Sequence, residues 1–312
     1  MAVYSAMGIY ALAFVAFTLD LARRSAPTPV LATQSLATQS VGGGARVGTV
    51  LADLATDAPA GASRALKLGM GLTIVAWLLH AASVVLRGLA AGYVPWSNLY
   101  GFALTATALI IGVFLVAQLW QNVSYLGSFL VGFCLLFLGI VNVNFYVDVV
   151  PQPVPLQSAW LVIHVFVAIL GTAFFALGAG LSVMQILQSR RELGARSPKF
   201  VATLPPSEHL ENLAYRVILV GFVFWTFTLI AGAIWAQRAW GRYWGWDTKE
   251  VWTFIIWTLF AGYIHARATR GWRGVRSATL AIIGFAAVIF NFTIVNLFFK
   301  GLHSYSGLPI DQ

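Results

Sequence analysis

Residues 240–250 read WGRYWGWDTKE: four aromatic rings and four charged side chains in a stretch too short to fold alone, lying between two long apolar segments. That composition describes a flat, ring-lined surface held at the face of a membrane and suited to a large planar cofactor. The rest of the chain settles what solvent surrounds it. With 59% hydrophobic and 9% charged residues and a mean hydropathy of +0.81, the chain has too few charges to cover a water-soluble globule. Apolar runs of about 20 residues recur along it, and a backbone crossing lipid must satisfy its own polar groups, so an all-α, polytopic membrane protein is expected.

The formal net charge of +9 is not a nucleic-acid footprint, because the basic residues fall in short clusters beside apolar segments, the arrangement that orients helices in a bilayer. The single cysteine, Cys134, lies inside the apolar run GFCLLFLG. It leaves no disulfide framework, no CxxC pair and no CxxCH in this chain, and reads as packing at lipid depth. The first apolar run lacks a basic leader and is followed by Arg23 and Arg24, the reverse of a cleavable signal, so a retained helix with its N-terminus outside is expected.

Windows of about 19 residues give eight candidate spans, at 3–19, 68–89, 98–118, 123–143, 158–187, 215–237, 250–266 and 278–299. The chain thus divides into an N-terminal transmembrane helix (1–19), a flexible cytoplasmic linker (20–66) and a membrane domain (67–307). The linker is rich in Ala, Thr, Ser, Gly and Pro, with GGG at 42–44, and cannot bury enough apolar surface to fold alone. With the N-terminus outside, the inner loops and span edges hold fourteen Lys and Arg, including Arg23, Arg24, Arg64, Lys67, Arg190, Arg191, Arg267 and Arg276. The outer side keeps Arg87, Arg238, Arg242, Lys249 and Lys300. This positive-inside bias puts both termini and the 240–250 segment on the extracytoplasmic face.

Histidine marks where chemistry can sit. His164 lies about two turns into the fifth span from its outer end, and His303 just past the outer end of the eighth, so both share the face of 240–250. His265 lies about 22 Å deeper along the seventh span at 1.5 Å per residue. One iron cannot be bound by all three; two sites fit better, an outer one with a His pair and an inner one with a single His from this chain. Two neutral imidazoles beside exposed tryptophans supply axial ligands and a stacking floor. His80, mid-span, fits either an interhelical hydrogen bond or a ligand role, whereas His209, in the cytoplasmic SEHLEN loop, reads as solvated or capping. Trp and Tyr gather at bilayer interfaces without any ligand, but that accounts for one or two rings, not for Trp235, Trp240, Tyr243, Trp244, Trp246 and Trp252 together with Asp247. Asp247 is placed to cap the helix starting near Lys249. Arg242 and Lys249, read as surface charges, could pair with carboxylates on a cofactor edge or with lipid phosphates.

The run WGRYWGWDTKEVW resembles the tryptophan-rich WWD signature of haem-handling membrane proteins. Together with PWSNLYGF at 95–102, WLVIHVFVA at 160–168, YIHARATRGW at 263–272 and GLHSY at 301–305, it resembles the CcsA/ResC family of System II cytochrome c biogenesis. The resemblance implies that His164 and His303 are the two external haem ligands beside the WWD surface. It implies that His265 is the transmembrane histidine of an inner haem whose second ligand comes from a CcsB/ResB-type partner. It further implies that haem b, as substrate and bound ligand, moves outward from His265 and rests on Trp240, Trp244 and Trp246, beside Asp247, in a bacterial plasma membrane. There it is presented for thioether attachment to the CxxCH of apocytochromes c, in a synthetase complex of haem-lyase type. No residue of this chain reads as an obligatory general base. Two positions depart from the family pattern: Thr248, where many relatives have Pro, and Gly101, where an acidic residue is common. A haem exporter without ligation activity, a b-type electron-transfer cytochrome and a transporter are the alternatives.

Overall fold

A computed structural model of the chain describes residues 1–25, 63–152, 154–299 and 301–303. Eight long helices run through the described residues: α1 (Ala2–Ser25), α2 (Arg64–Ala91), α3 (Leu99–Ala117), α4 (Gly127–Asn144), α5 (Ala159–Glu192), α6 (Ser207–Trp240), α7 (Thr248–Thr269) and α8 (Val275–Phe290). The last continues through a π-helical turn at Asn291–Val295 into Asn296–Phe298, and the described residues contain no strand. Most of the expected linker, 26–62, together with Lys300 and the tail from 304, lies outside the described residues.

Seven of these helices are long and apolar enough to cross a membrane, and the protein is a polytopic membrane protein. The exception is α7, which carries Lys249, Glu250 and Arg267. Yet its start sits beside His303 through Asp247, and its end is tied to the start of α6 by Arg267 and Glu211. Its 22 residues rise about 33 Å, so it traverses the same thickness as its neighbours.

Capping chemistry explains several boundaries. Asn98 and Ser158 turn their side-chain oxygens onto the amides of Gly101 and Trp160, covering donors that the first turns of α3 and α5 leave unpaired. Gly92 and Gly241, both at φ 73, end α2 and α6 in the left-handed conformation that glycine tolerates. Helix α1 runs past its expected end at 19 because Asp20 pairs with Arg24 at 2.8 Å and accepts the Ser63 hydroxyl at the start of α2. Helices α5 and α6, 34 residues each, outrun their expected spans as well. At about 51 Å they exceed the hydrocarbon core, and their polar turns project beyond it at what we term the basic end.

The first four helices form one body, with Tyr10, Ala76, Ile111 and Leu138 fully buried. Cys134 lies in it, also fully buried, its Sγ 4.0 Å from the Thr107 carbonyl, which is the packing role its apolar context implies. Helices α5 and α6 are the most extensively paired. Gly221 makes the approach possible, since a Cβ there would lie 2.9 Å from the Phe175 ring. Exposed Leu12, Ile74, Leu78, Val223 and Ile230 supply the lipid-facing surface. At the basic end a buried network locks α6, α7 and the following turn. The Arg267 guanidinium donates to Glu211 and Asn212, while Glu211 accepts from Gly274 and Ser277.

Candidate functional site

At the opposite, aromatic end, α3, α4, α5, α6, α7 and α8 line a cleft that is partly open to the surroundings. Its walls are apolar for the most part, with Phe102, Ile110, Phe137, Val165 and Phe292 among them, and His164, His303, Trp235, Tyr243 and Trp244 gather along it.

The two histidines reach the cleft by different routes. His164 is carried by α5, its ring stacked on Trp235 with centroids 5.7 Å apart and planes at 15°. Its Nδ1 lies 3.0 Å from the Thr228 carbonyl of α6. Gly232 makes room for the ring, because a Cβ there would stand 2.8 Å from His164 Cε1. His303 arrives from the chain beyond α8. Its backbone amide and its Nδ1 both bond Asp247 Oδ2, at 3.1 and 2.9 Å, and its ring meets the edges of Trp235 and Trp240. Gly301 permits this descent, since a Cβ there would lie 2.5 Å from Asp247 Oδ1.

These bonds fix the tautomers. A carbonyl and a carboxylate only accept, so in each ring Nδ1 carries the hydrogen and the neutral imidazole keeps its lone pair on Nε2. This is how protein groups orient a histidine that binds metal. Asp247 does two jobs. It is the N-cap of α7, accepting the Lys249 amide, within a capping box completed by Glu250. Burial pushes its carboxyl up, but the hydrogen bonds it accepts from the His303 ring and from the Lys249 and His303 amides outweigh this and hold it at about 2, so it stays ionised. Glu250 Oε2 in turn accepts the amides of Gly245 and Asp247, pinning the WGWD loop to the start of α7.

The other expected site residues are spread more widely. Trp244 lines the cleft. Trp240 stands against His303 at the end of α6, and Trp246 points away, 79% exposed at φ 58. His265 lies on the exposed face of α7 near its basic end, bonded to Thr269, and no wall of the cleft includes it. His80 is fully buried, Nε2 on the Leu104 carbonyl and Nδ1 facing the Tyr10 hydroxyl, which is the interhelical role. His209 is exposed on the first turn of α6.

Arg242 and Lys249 part company. Arg242 is exposed, whereas Lys249 is not the surface charge the sequence suggests. It turns into the cleft wall, its Nζ 2.8 Å from Asn296 Oδ1, because the first turn of α7 packs against α8. Sequence reasoning passed over Asn291 and Asn296, which also line the cleft. Two asparagines inside the apolar run FNFTIVN were the available signal, since polar groups at membrane depth are costly. The two departures from the family pattern have local explanations. Gly101 is required where the loop before α3 folds back, because a Cβ would lie 1.8 Å from the Pro95 carbonyl. Thr248 occupies the first helical position, where proline is favoured but not needed.

Residues 96–303 match the family described as Cytochrome C assembly protein. The cytochrome c biogenesis protein CcsA of Guillardia theta is 34% identical over 259 residues, a match covering 77% of this chain and 86% of that protein. The CcsA of Synechococcus elongatus is 36% identical over 287 residues, covering 76% and 87%. Among solved structures, the cytochrome c heme lyase CcmF superposes with a TM-score of 0.56 at 18% identity. That superposition covers 94% of this chain but 46% of the CcmF chain, and it speaks to the fold alone.

Proposed function

This chain belongs to the CcsA family of cytochrome c assembly proteins and acts in cytochrome c biogenesis, and from that premise we propose that it is the haem-handling subunit of a System II cytochrome c synthetase. Haem b is its substrate, received in the membrane and presented at the aromatic end, which we assign to the outside of a bacterial plasma membrane, a reading the positive-inside bias supports. One observation carries the reading: His164 and His303 both lean on Trp235 at one cleft, each with Nδ1 tied to an acceptor. Their Nε2 lone pairs are the axial ligands, and bis-His ligation fills both axial positions of a haem iron. The chemistry of the cleft suits the substrate, with apolar walls and indoles for the porphyrin face.

This chain's residues hold and orient; the reactivity belongs to haem and cysteine. The S–H of each CxxCH cysteine adds across a vinyl group, sulfur to one carbon and hydrogen to the other. Nothing leaves and no net electron transfer occurs. A CcsB/ResB-type partner completes the assembly and docks the apocytochrome. The exposed ring of His265 suits a second haem shared with that partner.

The test is co-expression of the chain with such a partner and a CxxCH apoprotein, followed by haem staining after denaturation. Covalent haem on the apoprotein is expected. Haem on the purified complex with none transferred would leave export alone and overturn the synthetase reading.

A further inference from the structure

The wall of the cleft built by α7 and the end of α8 holds a polar cluster that iron ligation does not use. Lys249 contributes an ammonium whose one described bond goes to Asn296 Oδ1, at 2.8 Å. Thr253, one turn along α7, donates to the Lys249 carbonyl and accepts from Asn291 Nδ2 at 3.3 Å. Asn291 is 5% exposed, lines the cleft, and its Oδ1 has no hydrogen-bond partner among the described residues. An ammonium has three donors, so a single described bond leaves Lys249 with capacity facing an apolar cavity. A buried acceptor without a donor is costly, which makes the pair a site awaiting a polar ligand.

The backbone is built for it. Residues five apart fall on different faces of an α-helix, which brings together only those three or four apart. The π-helical turn at Asn291–Val295 widens the spiral, and π-bulges in α-helices are frequent at functional sites. Asn291 and Asn296 thereby both meet α7, one at Thr253 and the other at Lys249. The start of α7 adds the positive end of a helix dipole.

We propose that this cluster is the seat of an organic carboxylate, with Lys249 as its counter-ion and Asn291 accepting from the water such a group carries. Resting on the haem reading of the same cleft, the ligand is a propionate of the porphyrin edge. The substrate is then held at two kinds of point, iron on the two imidazoles and carboxylate on Lys249. Two unlike anchors fix the rotation of a disc that axial ligands alone leave free to spin. That rotation decides which edge, and so which vinyl groups, faces an incoming thiol.

The test titrates the purified full chain, with its partner where the complex requires it, with haem b and with haem b dimethyl ester, whose iron and ring are the same but whose carboxylates are capped. Bis-His absorbance reads binding in both cases. Wild type binds haem about tenfold more tightly than the diester, the scale of a charge-assisted hydrogen bond. Lys249→Met loses that preference, binding the two equally, Lys249→Arg keeps most of it, and Arg242→Gln leaves it intact. Equal binding of haem and diester by wild type overturns the proposal while leaving the ligand pair standing, and it needs no variant to fold. A preference that survives in Lys249→Met overturns it too. Binding of neither compound overturns the haem reading itself.

Discussion

His80 and His164 are the same residue type on two transmembrane helices, α2 and α5, and the protein has put them in opposite states. His80 donates from Nε2 to the Leu104 carbonyl and turns Nδ1 to the Tyr10 hydroxyl, so both nitrogens are satisfied inside the α1–α4 body. His164 donates from Nδ1 to Thr228 and keeps the lone pair of Nε2, on a helix face that opens onto the cleft. Burial alone does not decide whether a histidine is structural or is open to a ligand. What separates them is which nitrogen the surroundings consume and whether the other has anywhere to point.

The largest expected effect breaks the open half of that contrast. His164→Gly and His303→Gly each abolish covalent haem transfer to a CxxCH apoprotein, and added imidazole, filling the vacated axial position, restores part of it. Normal maturation by both variants would show that the ligand pair is elsewhere. Asp247→Asn comes next, because it leaves both imidazoles in place and removes only the charge that orients one of them. Losing such a partner costs about 10–100-fold in metal affinity, read as a weaker haem titration with bis-His absorbance retained at saturation. The folded Asp247 carboxyl is depressed to about 2 from its ordinary 3.8. Its contribution is therefore complete above the ordinary value and is lost as pH falls through about 2. No step in haem affinity assignable to Asp247 is expected between mildly acidic and neutral pH. A smaller effect is expected from His265→Ala, which lowers the haem carried by the purified partner complex without emptying it; unchanged content removes the inner site.

How far the sequence reached follows from the same physics. Seven helices were legible because hydropathy reports lipid directly, α7 less plainly because Lys249, Glu250 and Arg267 dilute its apolar run, and the aromatic segment was legible because six rings and an aspartate have no cheaper explanation. Helix ends were less so: the expected fifth span stops at 187, while α5 continues to Glu192 on ordinary helix propensity outside the lipid. The division of labour among the tryptophans was not legible at all. Trp235, Trp244 and Trp246 are alike in composition, and only φ 58 at Trp246 and the helical phase of Trp235 send one outward and set the other against both imidazoles. Lys249 was misread for a related reason, since proximity to the membrane face does not reveal that the first turn of α7 faces α8.

The closed half of the comparison gives the smallest prediction and the sharpest control. His80→Leu removes an imidazole from the membrane interior, as His164→Gly does, yet haem titration and covalent transfer should match wild type. What should change is stability, by about 1 kcal/mol, the scale of a hydrogen bond between transmembrane helices, read as a lower thermal midpoint of the purified protein. Tyr10→Phe should cost less on its own, and the double variant should cost less than the two singles together, because each single leaves the other partner unpaired in the same buried contact. Loss of haem in His80→Leu at unchanged stability would reverse the assignment and make His80 the ligand. The two histidines would then differ by position alone, and the tautomer argument that distinguishes them would fail with it.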